Sequence, residues 1–292
     1  MTLTPQEKTR ILVQALPYIR QFRGKTLVIK YGGSAMEEES LRDAFAEDVT
    51  FLNFIGIRTI VVHGGGPQIR EALELRGKES EFVMGLRVTD AETMDVVSVV
   101  LGEKINKDIV NLINTHGGQA VGLSGADGGA LRARKLSLNP PAGWKGKPPE
   151  LGMVGEVTGV DTALLGRLGD GGFVPVVAPL GVGEDGLLYN INADSAAGSL
   201  AAALGAEKLV YLTDVVGVQD NGQKLISALS KAQVKDLQSR GVISGGMIPK
   251  VGAGLRAIEA GVKKTHVIDG RIPHALLLEI FTDEGIGTEI VL

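Results

Sequence analysis

Short apolar runs that end in glycine clusters are the feature that most limits how this chain can fold. The runs TLVIKYGG, TIVVHGGG and LVYLTDVVG begin at residues 26, 59 and 209, and a segment with helical spacing follows each of them. Strands that alternate with helices form an α/β sheet that is mainly parallel. Right-handed crossovers bring ligand sites to the carboxyl ends of such strands. We therefore expect the functional groups at the glycine-rich strand exits.

The composition excludes several classes of function. The 292 residues have a formal net charge of -4 and 4% aromatic residues, and they lack the basic patches and stacking residues of nucleic-acid binders. Because the chain has no cysteine, it has no disulfides, thiolate nucleophile or cysteine-ligated zinc. Nowhere do about eighteen apolar residues run together, so we expect no membrane span. These features predict a cytoplasmic protein with a small-molecule ligand.

The N-terminus predicts a helix ahead of the first strand. Thr4 to Glu7 has the pattern of a capping box, with proline at the first helical position. The apolar face of this helix would carry Ile11, Ala15, Tyr18 and Phe22. A helix in this place either packs on its own subunit or docks on another one, and the sequence leaves both possibilities open.

The middle of the chain contains an irregular segment and a boundary between two halves. Ser137 to Gly152 is rich in proline and glycine, which predicts a surface excursion between short strands at residues 131–135 and 153–157. The boundary is predicted near Pro179 to Gly186, where a glycine-rich turn follows the strand FVPVVA. Its GVGEDG matches a dinucleotide-binding pattern, but the strand-like LLYNIN follows instead of a helix, so we expect no dinucleotide site there.

Two glycine-rich strand exits in the first half favour an anion site. Lys30 ends an apolar strand just before Gly32 and Gly33, and a buried lysine needs an anionic partner. VVHGGGP repeats the design with three glycines from Gly64 to Gly66, where backbone N–H groups could converge on an anion at the start of a helix. Glycines that only turn the chain are the alternative for either motif alone.

The second half adds polar groups that complete a candidate active site. Asn190, Asn192 and Asp194 alternate as if on one strand face, although Asp194 alone could be a helix cap. SGGMIPK supplies Lys250 after another glycine pair. Two lysines on glycine turns and an aspartate able to hold both indicate phosphoryl transfer. Without an evident general base, an ionised carboxylate is the favoured acceptor, and Arg87 of GLRVTD could bind a carboxylate.

Taken in order, KYGG, VHGGGP, GLRVTD, NINAD, LTDVVGV and GGMIPK closely resemble the acetylglutamate kinases of the amino-acid kinase family, from about Phe22 to Leu292. The resemblance implies a three-layer αβα sandwich around a mainly parallel sheet with an extra N-terminal helix. It implies an oligomerisation helix at 1–24, a lobe at 25–180 for acetylglutamate and dimer contact, and a lobe at 181–292 for ATP and arginine. The implied reaction is ATP-dependent phosphorylation of the γ-carboxylate of N-acetyl-L-glutamate, giving N-acetyl-L-glutamyl 5-phosphate, in arginine biosynthesis.

Site residues are implied by matching motif positions. In the catalytic group, Asp194 would orient the two lysines, and the members are Lys30, Lys250 and Asp194. The residues that would hold acetylglutamate are Gly65, Gly66, Arg87 and Asn190. The residues that would contact ATP are Gly32, Gly33, Thr213, Asp214, Val215 and Val218. Mg²⁺ would arrive with ATP and be held mainly by its phosphates, without a dedicated protein metal site.

The resemblance extends to the long, arginine-inhibited members of the family. It implies a homodimer that assembles into a homohexamer, a trimer of dimers joined by N-terminal helices. The residues that would contact arginine are Lys208, His274, Glu279 and Gly287. Glu279 would pair with the guanidinium and Lys208 with the carboxylate, although Glu279 could instead be a solvated helix residue. Glu289 departs from the family, where methionine is expected, and no regulatory protein partner is inferred.

Two other functions fit the same motifs. One is a kinase of the same fold that acts on a related acid, such as N-acetyl-aminoadipate or a carrier-linked substrate, because one methylene changes binding by only about 1–3 kcal/mol. The other is a non-catalytic, nucleotide-binding regulatory module. Such a module would be marked by loss of Lys30, Lys250 or Asp194, and all three are present.

Overall fold

The computed structural model describes residues 3–138 and 149–292. The helices are α1 (Pro5–Phe22), α2 (Glu39–Phe54), α3 (Gly66–Glu74), α4 (Ala91–Val99), α5 (Asn106–Thr115), α6 (Thr162–Asp170), α7 (Ala193–Ala203), α8 (Lys231–Ser239), α9 (Met247–Glu259) and α10 (Ala275–Ile280). Short 3₁₀ helices occupy Gly33–Met36 and Asp127–Gly129, and a π-helical segment, Val100–Ile105, joins α4 to α5. Of the predicted excursion from Ser137 to Gly152, residues 139–148 lie outside the described residues.

The strands form one large sheet, one small barrel and a hairpin. They are β1 (Thr26–Tyr31), β2 (Arg58–His63), β3 (Phe82–Val83), β4 (Leu86–Arg87), β5 (Ala120–Ser124), β6 (Leu131–Lys135), β7 (Val154–Val160), β8 (Val174–Ala178), β9 (Leu180–Gly183), β10 (Leu188–Ile191), β11 (Lys208–Thr213), β12 (Ala228–Ser230), β13 (Lys264–Asp269) and β14 (Thr288–Val291). The eight-stranded sheet has the order β12-β14-β13-β11-β1-β2-β8-β5. Its neighbouring pairs are parallel except for β13 with β14.

Alternation along the central strand divides the core into two layers. Leu27, Ile29 and Tyr31 of β1 pack in one cluster with α2, α4, α5 and α10. Val28 packs in the other cluster with α6, α7 and α9. Because side chains alternate between the faces of a strand, helices cover both faces of the sheet. The predicted three-layer αβα sandwich with a mainly parallel sheet is confirmed.

The glycine-rich turn predicted near Pro179 to Gly186 is partly wrong. Leu180–Gly183 forms β9, which pairs with β10 and β6, and these strands close into a small barrel with β7. Gly181 is buried there, and a Cβ on it would lie 2.6 Å from the Ile191 side chain. Glycine in this run therefore permits close strand packing, a role that turn propensities do not reveal. The strands predicted around the excursion are confirmed as β6 and β7.

The predicted N-terminal helix is confirmed, with its capping box formed by Thr4 and Glu7. Its two ends differ. At the carboxyl end, Phe22 is buried in the core, and Tyr18 Oη donates a 2.7 Å hydrogen bond to Asp283. Over the first three turns, Leu12 and Val13 are 72% and 63% exposed. The helix is thus anchored at one end only. Among the described residues, no helix is both long and apolar enough to cross a bilayer.

Candidate active site

Two lysines and one aspartate meet at the carboxyl ends of the central strands. Lys30 Nζ lies 3.3 Å from Asp194 Oδ1, and Lys250 Nζ lies 3.2 Å from Asp194 Oδ2. Lys30 and Asp194 are buried. Burial raises the pKa of the Asp194 carboxyl, but the opposite effect of the two ammonium groups is larger, so the net direction is downward. This group, here named the lysine clamp, carries one positive charge more than its carboxylate neutralises.

The supports of the clamp come from three elements. Lys30 is the penultimate residue of β1, and Asp194 lies in the first turn of α7, where Asn192 is the N-cap and accepts a hydrogen bond from Ser195 N. Tyr211 Oη donates a 3.2 Å hydrogen bond to the Asp194 carbonyl. Tyr211 is fully buried, and sequence reasoning missed it because the phenol reaches Asp194 only through the packing of β11 against α7.

Two local predictions about these residues are wrong. Asn190, Asn192 and Asp194 do not share a strand face, because β10 ends at Ile191 and α7 begins at Ala193. Lys250 does not lie on a glycine loop. It lies in the first turn of α9, which begins at Met247, just after Gly245 turns the chain with a φ of +53°. Asp194 and Lys250 therefore both lie at helix N-termini, which favour anions.

Two glycine turns lie next to Lys30 of the lysine clamp. A Cβ on Gly32 would lie 2.5 Å from Lys30 Nζ, and a Cβ on Gly33 would overlap the Asp214 carboxylate. Gly65 is the N-cap of α3, and a Cβ there would lie 2.5 Å from Ile105 Cδ1. Larger residues would displace these groups. The glycines do more than turn the chain, because each one gives a neighbouring group room to approach.

The two turns and Lys30 surround a cavity of about 140 Å³. This space is well above the roughly 10–15 Å³ that one water molecule needs on the same measure, and it suits a phosphoryl or carboxylate group. A larger open groove of about 1110 Å³ begins at Asn192, Gly245 and Gly246 and runs between α7 and α9 beneath the β3–β4 hairpin. The small cavity is lined by Lys30, Gly32, Gly33, Met36, Glu37, Gly64, Gly65, Gly66, Pro67 and Gln68.

Arg87 contacts one of these turns, and Asn190 lies on β10, where it contacts the segment that follows Arg87. Arg87 Nη2 donates a 2.9 Å hydrogen bond to Gly66 O, and Arg87 Nη1 donates to Ser80 Oγ. Burial lowers the pKa of Arg87, and the positive charge of Arg70 adds to the effect. Asn190 Nδ2 donates a 3.1 Å hydrogen bond to Thr89 Oγ1. The structure thus brings Arg87 to the Gly64–Gly66 turn and links Asn190 to Thr89, two residues after Arg87.

The residues implied for ATP are only partly brought together. Asp214 accepts hydrogen bonds of 2.6 Å and 2.7 Å from Ser34 N and Oγ, which links the end of β11 to the turn after β1. Ser34 was not among the predicted residues, although its place directly after the glycine pair is a signal. Val215 is exposed, whereas the Val218 side chain is buried in a separate core cluster. The backbone of Val218 is engaged as well, because its N–H donates to Thr288 Oγ1 and its carbonyl accepts from Ile226 N, so the structure does not bring Val218 to the clamp.

A second buried charge cluster, here named the amino-end cluster, consists of Lys208, His266 and Glu279. His266 Nδ1 lies 2.6 Å from a Glu279 oxygen, and Glu279 accepts a 2.9 Å hydrogen bond from Ile286 N. Burial lowers the pKa of Lys208, while Glu279 opposes that change. Glu279 is 7% exposed, so the solvated-residue alternative is wrong. Gly287 lies in the same loop, where a Cβ would overlap Val267 O.

His274 is not part of the amino-end cluster. Its Nδ1 lies 2.7 Å from Asp48 Oδ1 and its Nε2 lies 3.8 Å from Glu47, so the structure does not bring this predicted residue together with Lys208 and Glu279. His266 takes that position, and sequence reasoning missed it. The signal was a histidine two residues into a strand that pairs with the strand of Lys208, but this depends on the register of β11 with β13.

Among the described residues, no group of three or more His, Cys, Asp or Glu side chains has the arrangement of a metal site. Both Asp194 oxygens face lysine ammonium groups. A divalent cation near the clamp would therefore take its ligands mainly from a bound phosphate group and from water, as Mg²⁺ commonly does.

Comparison with known proteins agrees with this geometry. Acetylglutamate kinase from Syntrophobacter fumaroxidans is 56% identical over 290 residues, covering 98% of this chain and 96% of that protein. Acetylglutamate kinase from Halorhodospira halophila is 54% identical over 291 residues, covering 99% of this chain and 97% of that protein.

Solved structures give the same fold. N-acetylglutamate synthase from Neisseria gonorrhoeae, complexed with coenzyme A and N-acetyl-glutamate, aligns with a TM-score of 0.83 and 29% identity over 97% of this chain. This chain spans 63% of the length of that synthase. Giardia carbamate kinase aligns with a TM-score of 0.64 and 19% identity over 92% of this chain and 99% of that one, which supports the fold alone. Residues 25–269 match the amino acid kinase family, and the chain therefore belongs to that family.

Proposed function

We propose that this protein is an acetylglutamate kinase, which transfers the γ-phosphoryl group of ATP to the γ-carboxylate of N-acetyl-L-glutamate in arginine biosynthesis. The observation that carries the proposal is the Asp194 carboxylate held between two lysines, at 3.3 Å and 3.2 Å, beside a glycine-lined cavity. The identity of the acid rests on relatives with 56% and 54% identity that are named for this activity.

The reaction needs little proton transfer. A carboxylate with a pKa near 4 is ionised at neutral pH, so its oxygen attacks the γ-phosphorus directly while the bond to the ADP oxygen breaks. Negative charge spreads over the transferring group, and fixed cations stabilise it. Lys30 would neutralise this charge from the β1 side and Lys250 from the α9 side. Asp194 would hold both ammonium groups in position without taking part in bond making.

The two substrates would approach the clamp from different lobes. We propose that residues 25–180 bind acetylglutamate and contribute the dimer contact, and that residues 181–292 bind ATP. Arg87, Asn190 and the N–H groups of Gly65 and Gly66 would hold the acid. Both glycines line the cavity, Arg87 is hydrogen-bonded to Gly66 O, and Asn190 is hydrogen-bonded to Thr89, two residues after Arg87. The strand end at Thr213 to Val215, together with Gly32 and Gly33, would receive the nucleotide. Mg²⁺ bound to the nucleotide would add positive charge to the phosphates.

We also propose that arginine inhibits the enzyme at the amino-end cluster. Glu279 is a buried carboxylate suited to a guanidinium, and Lys208 is a buried cation suited to a carboxylate. Phe22 of α1 lies over Lys208, with the ammonium 5.2 Å from the ring centroid. A movement of the N-terminal helix would therefore change the surroundings of Lys208 directly.

The N-terminal helix would also join subunits. Its first three turns expose Ile11, Leu12, Val13 and Leu16, and an apolar helix face of this kind is normally covered by another element. A second copy of the same helix fits the homohexamer, a trimer of dimers, that the sequence resemblance implies. Its location in the cytoplasm stays a prediction from composition.

A hydroxylamine assay for the acyl phosphate tests the function. Purified protein would be given ATP, Mg²⁺ and either N-acetyl-L-glutamate or N-acetyl-aminoadipate, with and without arginine. We expect hydroxamate from N-acetyl-L-glutamate, with kcat/KM at least about tenfold above the longer acid, and inhibition by arginine. A higher kcat/KM for the longer acid would assign a different substrate, and no product from either acid would overturn the kinase proposal.

A further inference from the structure

A polar pair lies buried directly beneath the Gly64–Gly66 turn. His63 is the last residue of β2, and Asn106 is the first residue of α5. Both are 0% exposed. His63 Nδ1 lies 2.9 Å from Gly64 O, and its Nε2 lies 3.3 Å from Asn106 Nδ2. Two polar side chains in the core are costly unless they are hydrogen-bonded, so the pair needs an explanation beyond packing.

The neighbours of Asn106 fix where its protons lie. Its Nδ2 donates a 2.8 Å hydrogen bond to Val176 O and approaches Leu123 O at 3.4 Å, so the amide nitrogen faces carbonyl acceptors. The remaining N–H points to His63 Nε2, which must accept. The proton of a neutral imidazole then resides on Nδ1, where it is donated to Gly64 O. The pair therefore has one pattern of donors that suits its neighbours, and Asn106 Oδ1 is the one atom of the two side chains without a hydrogen-bond partner among the described residues.

The π-helical segment brings Asn106 to this place. Val100–Ile105 adds a wider turn between α4 and α5, and such segments often occur at functional sites. Leu101 and Ile105 of this segment press against Gly65, where a Cβ would lie 2.6 Å and 2.5 Å from their side chains. Gly122 of β5 leaves the room that Asn106 Oδ1 occupies, because a Cβ there would overlap it.

The turn is held at three points. Gly64 N donates a 2.9 Å hydrogen bond to Tyr31 O, His63 Nδ1 donates to Gly64 O, and Arg87 Nη2 donates to Gly66 O. The N–H groups at the start of α3 have no partner within the helix, so they are available for an anion while these three hydrogen bonds hold the turn. Gly64, Gly65 and Gly66 line the 140 Å³ cavity beside Lys30.

We propose that His63 and Asn106 are positioning residues, which hold the Gly64–Gly66 turn at the distance from Lys30 that the carboxylate, the phosphoryl acceptor, requires. The proposal rests on the proposed kinase function. Neither side chain touches the substrate, and both act through the backbone of the turn. Burial lowers the pKa of His63 to about 4, so the ring is neutral near pH 7, which agrees with one donor and one acceptor nitrogen.

Kinetics of matched variants separate positioning from general stability. His63→Asn retains an amide N–H near the Nδ1 position, whereas His63→Leu fills the space without a donor. Asn106→Ala removes the partner of His63. Asn114→Ala is the control, because Asn114 also bonds the backbone of a neighbouring strand, at Ala120, but does not touch His63.

We expect His63→Leu and Asn106→Ala to lower kcat/KM for N-acetylglutamate by about tenfold, the equivalent of one lost buried hydrogen bond. KM for ATP should stay within about twofold, since the turn contacts the acid. His63→Asn should recover most of the loss, and Asn114→Ala should change neither constant appreciably. Equal effects from Asn106→Ala and Asn114→Ala, or no recovery in His63→Asn, would overturn the proposal.

A second measurement is independent of activity. In ¹⁵N-labelled protein, His63 should show the Nδ1–H tautomer, and Asn106→Ala should shift the amide signals of Gly64, Gly65 and Gly66 while Asn114→Ala leaves them in place. A dominant Nε2–H tautomer, or unchanged turn signals in Asn106→Ala, would refute the positioning role. If wild-type protein does not phosphorylate N-acetylglutamate but the turn signals respond as expected, the proposed function fails and the positioning pair stands.

Discussion

The lysine clamp and the amino-end cluster lie at opposite ends of the same sheet. In the register of β1 with β11, Leu27 is paired with Lys208, and Lys30 lies three residues further along, roughly 10 Å. They also lie on opposite faces, since Lys208 faces Phe22 of α1 whereas Asp194 belongs to α7 on the other side. The clamp therefore occupies the carboxyl ends of parallel strands, where ligands of α/β proteins bind, and the amino-end cluster does not.

The charges of the two groups differ as well. In the clamp, two ammonium groups share one carboxylate, so a positive charge remains for a substrate phosphate. In the amino-end cluster, Glu279 is matched by Lys208 and touches His266, whose pKa burial lowers. That cluster has no net charge without a ligand, and a zwitterion could place its cationic group beside Glu279 and its carboxylate beside Lys208. The difference teaches that a surplus positive charge suits the proposed phosphoryl transfer, whereas a cluster without net charge suits the proposed binding of a zwitterion.

The strongest test of this contrast is Lys250→Ala. Its ammonium group should be needed most in the transition state, so we expect kcat to fall by about 10²–10³-fold, with the affinity for ATP changed far less. Steady-state kinetics with both substrates varied measures the two effects. Lys263→Ala is the control, because that ammonium group is 64% exposed and pairs with Glu207 at 3.2 Å. Near-normal turnover in Lys250→Ala would remove the clamp from catalysis.

Glu279→Gln should separate inhibition from chemistry. The change keeps the size of the side chain and an acceptor for Ile286 N but removes the charge for the guanidinium. We expect the arginine concentration for half-inhibition to rise by about tenfold to a hundredfold, the range for a lost charged hydrogen bond, with kcat close to wild type. Inhibition curves at saturating substrates measure this.

His274→Asn is the control for the same test. His274 has a φ of +57°, which asparagine tolerates, and it contacts Asp48 outside the amino-end cluster. We expect its inhibition curve to match that of wild type. A large loss of arginine sensitivity in His274→Asn, with none in Glu279→Gln, would restore the histidine that the resemblance implied and contradict the geometry.

The members of the clamp could be predicted from the sequence because each of them lies in a short motif that can be recognised by itself. Lys30 lies at the end of an apolar strand, shortly before two glycines. A lysine in such a buried place needs an anionic partner. The secondary structure around Asp194 was harder, since alternating Asn190, Asn192 and Asp194 fit a strand as well as a cap followed by a helix. The glycine pair in SGGMIPK predicted a glycine turn at Lys250, although the proline that follows the pair is tolerated in the first turn of a helix.

The amino-end cluster could not be predicted to the same depth. Its members come from two neighbouring strands and α10, and which histidine joins them depends on strand register. The His63–Asn106 pair was invisible for a similar reason, because 43 residues separate its members and a π-helical segment sets their alignment. Local patterns report turns and caps, whereas cross-strand contacts depend on how the whole sheet assembles.

Deletion of residues 1–20 tests how α1 links the two ends of the molecule. The deletion removes the exposed apolar turns and Tyr18, which anchors the helix to Asp283. We expect the hexamer to become dimers, a threefold fall in mass, with loss of arginine sensitivity and retention of kcat. Light scattering measures the mass. An unchanged mass would mean that the helix packs only on its own subunit, which is the alternative left open by the sequence.

The smallest expected effect belongs to Glu289, at the rim of the amino-end cluster. Its Oε2 accepts a 2.8 Å hydrogen bond from Lys264 Nζ and lies 3.8 Å from His266 Nε2. The side chain is 27% exposed. Solvent screens a carboxylate in that position, so it should contribute only about 0.2–1 kcal/mol to binding of a cation. Glu289→Met should therefore weaken arginine inhibition by less than about fivefold, with kcat unchanged.

Lys264→Met is the matched control for Glu289, because it removes the other half of the same ion pair. It leaves the negative charge of Glu289 free for the guanidinium, so we expect inhibition to strengthen slightly. Inhibition curves for the two variants should thus move in opposite directions. If Glu289→Met weakened inhibition as much as Glu279→Gln, the rim and the centre of the cluster would be equivalent, and burial would not be the property that selects Glu279.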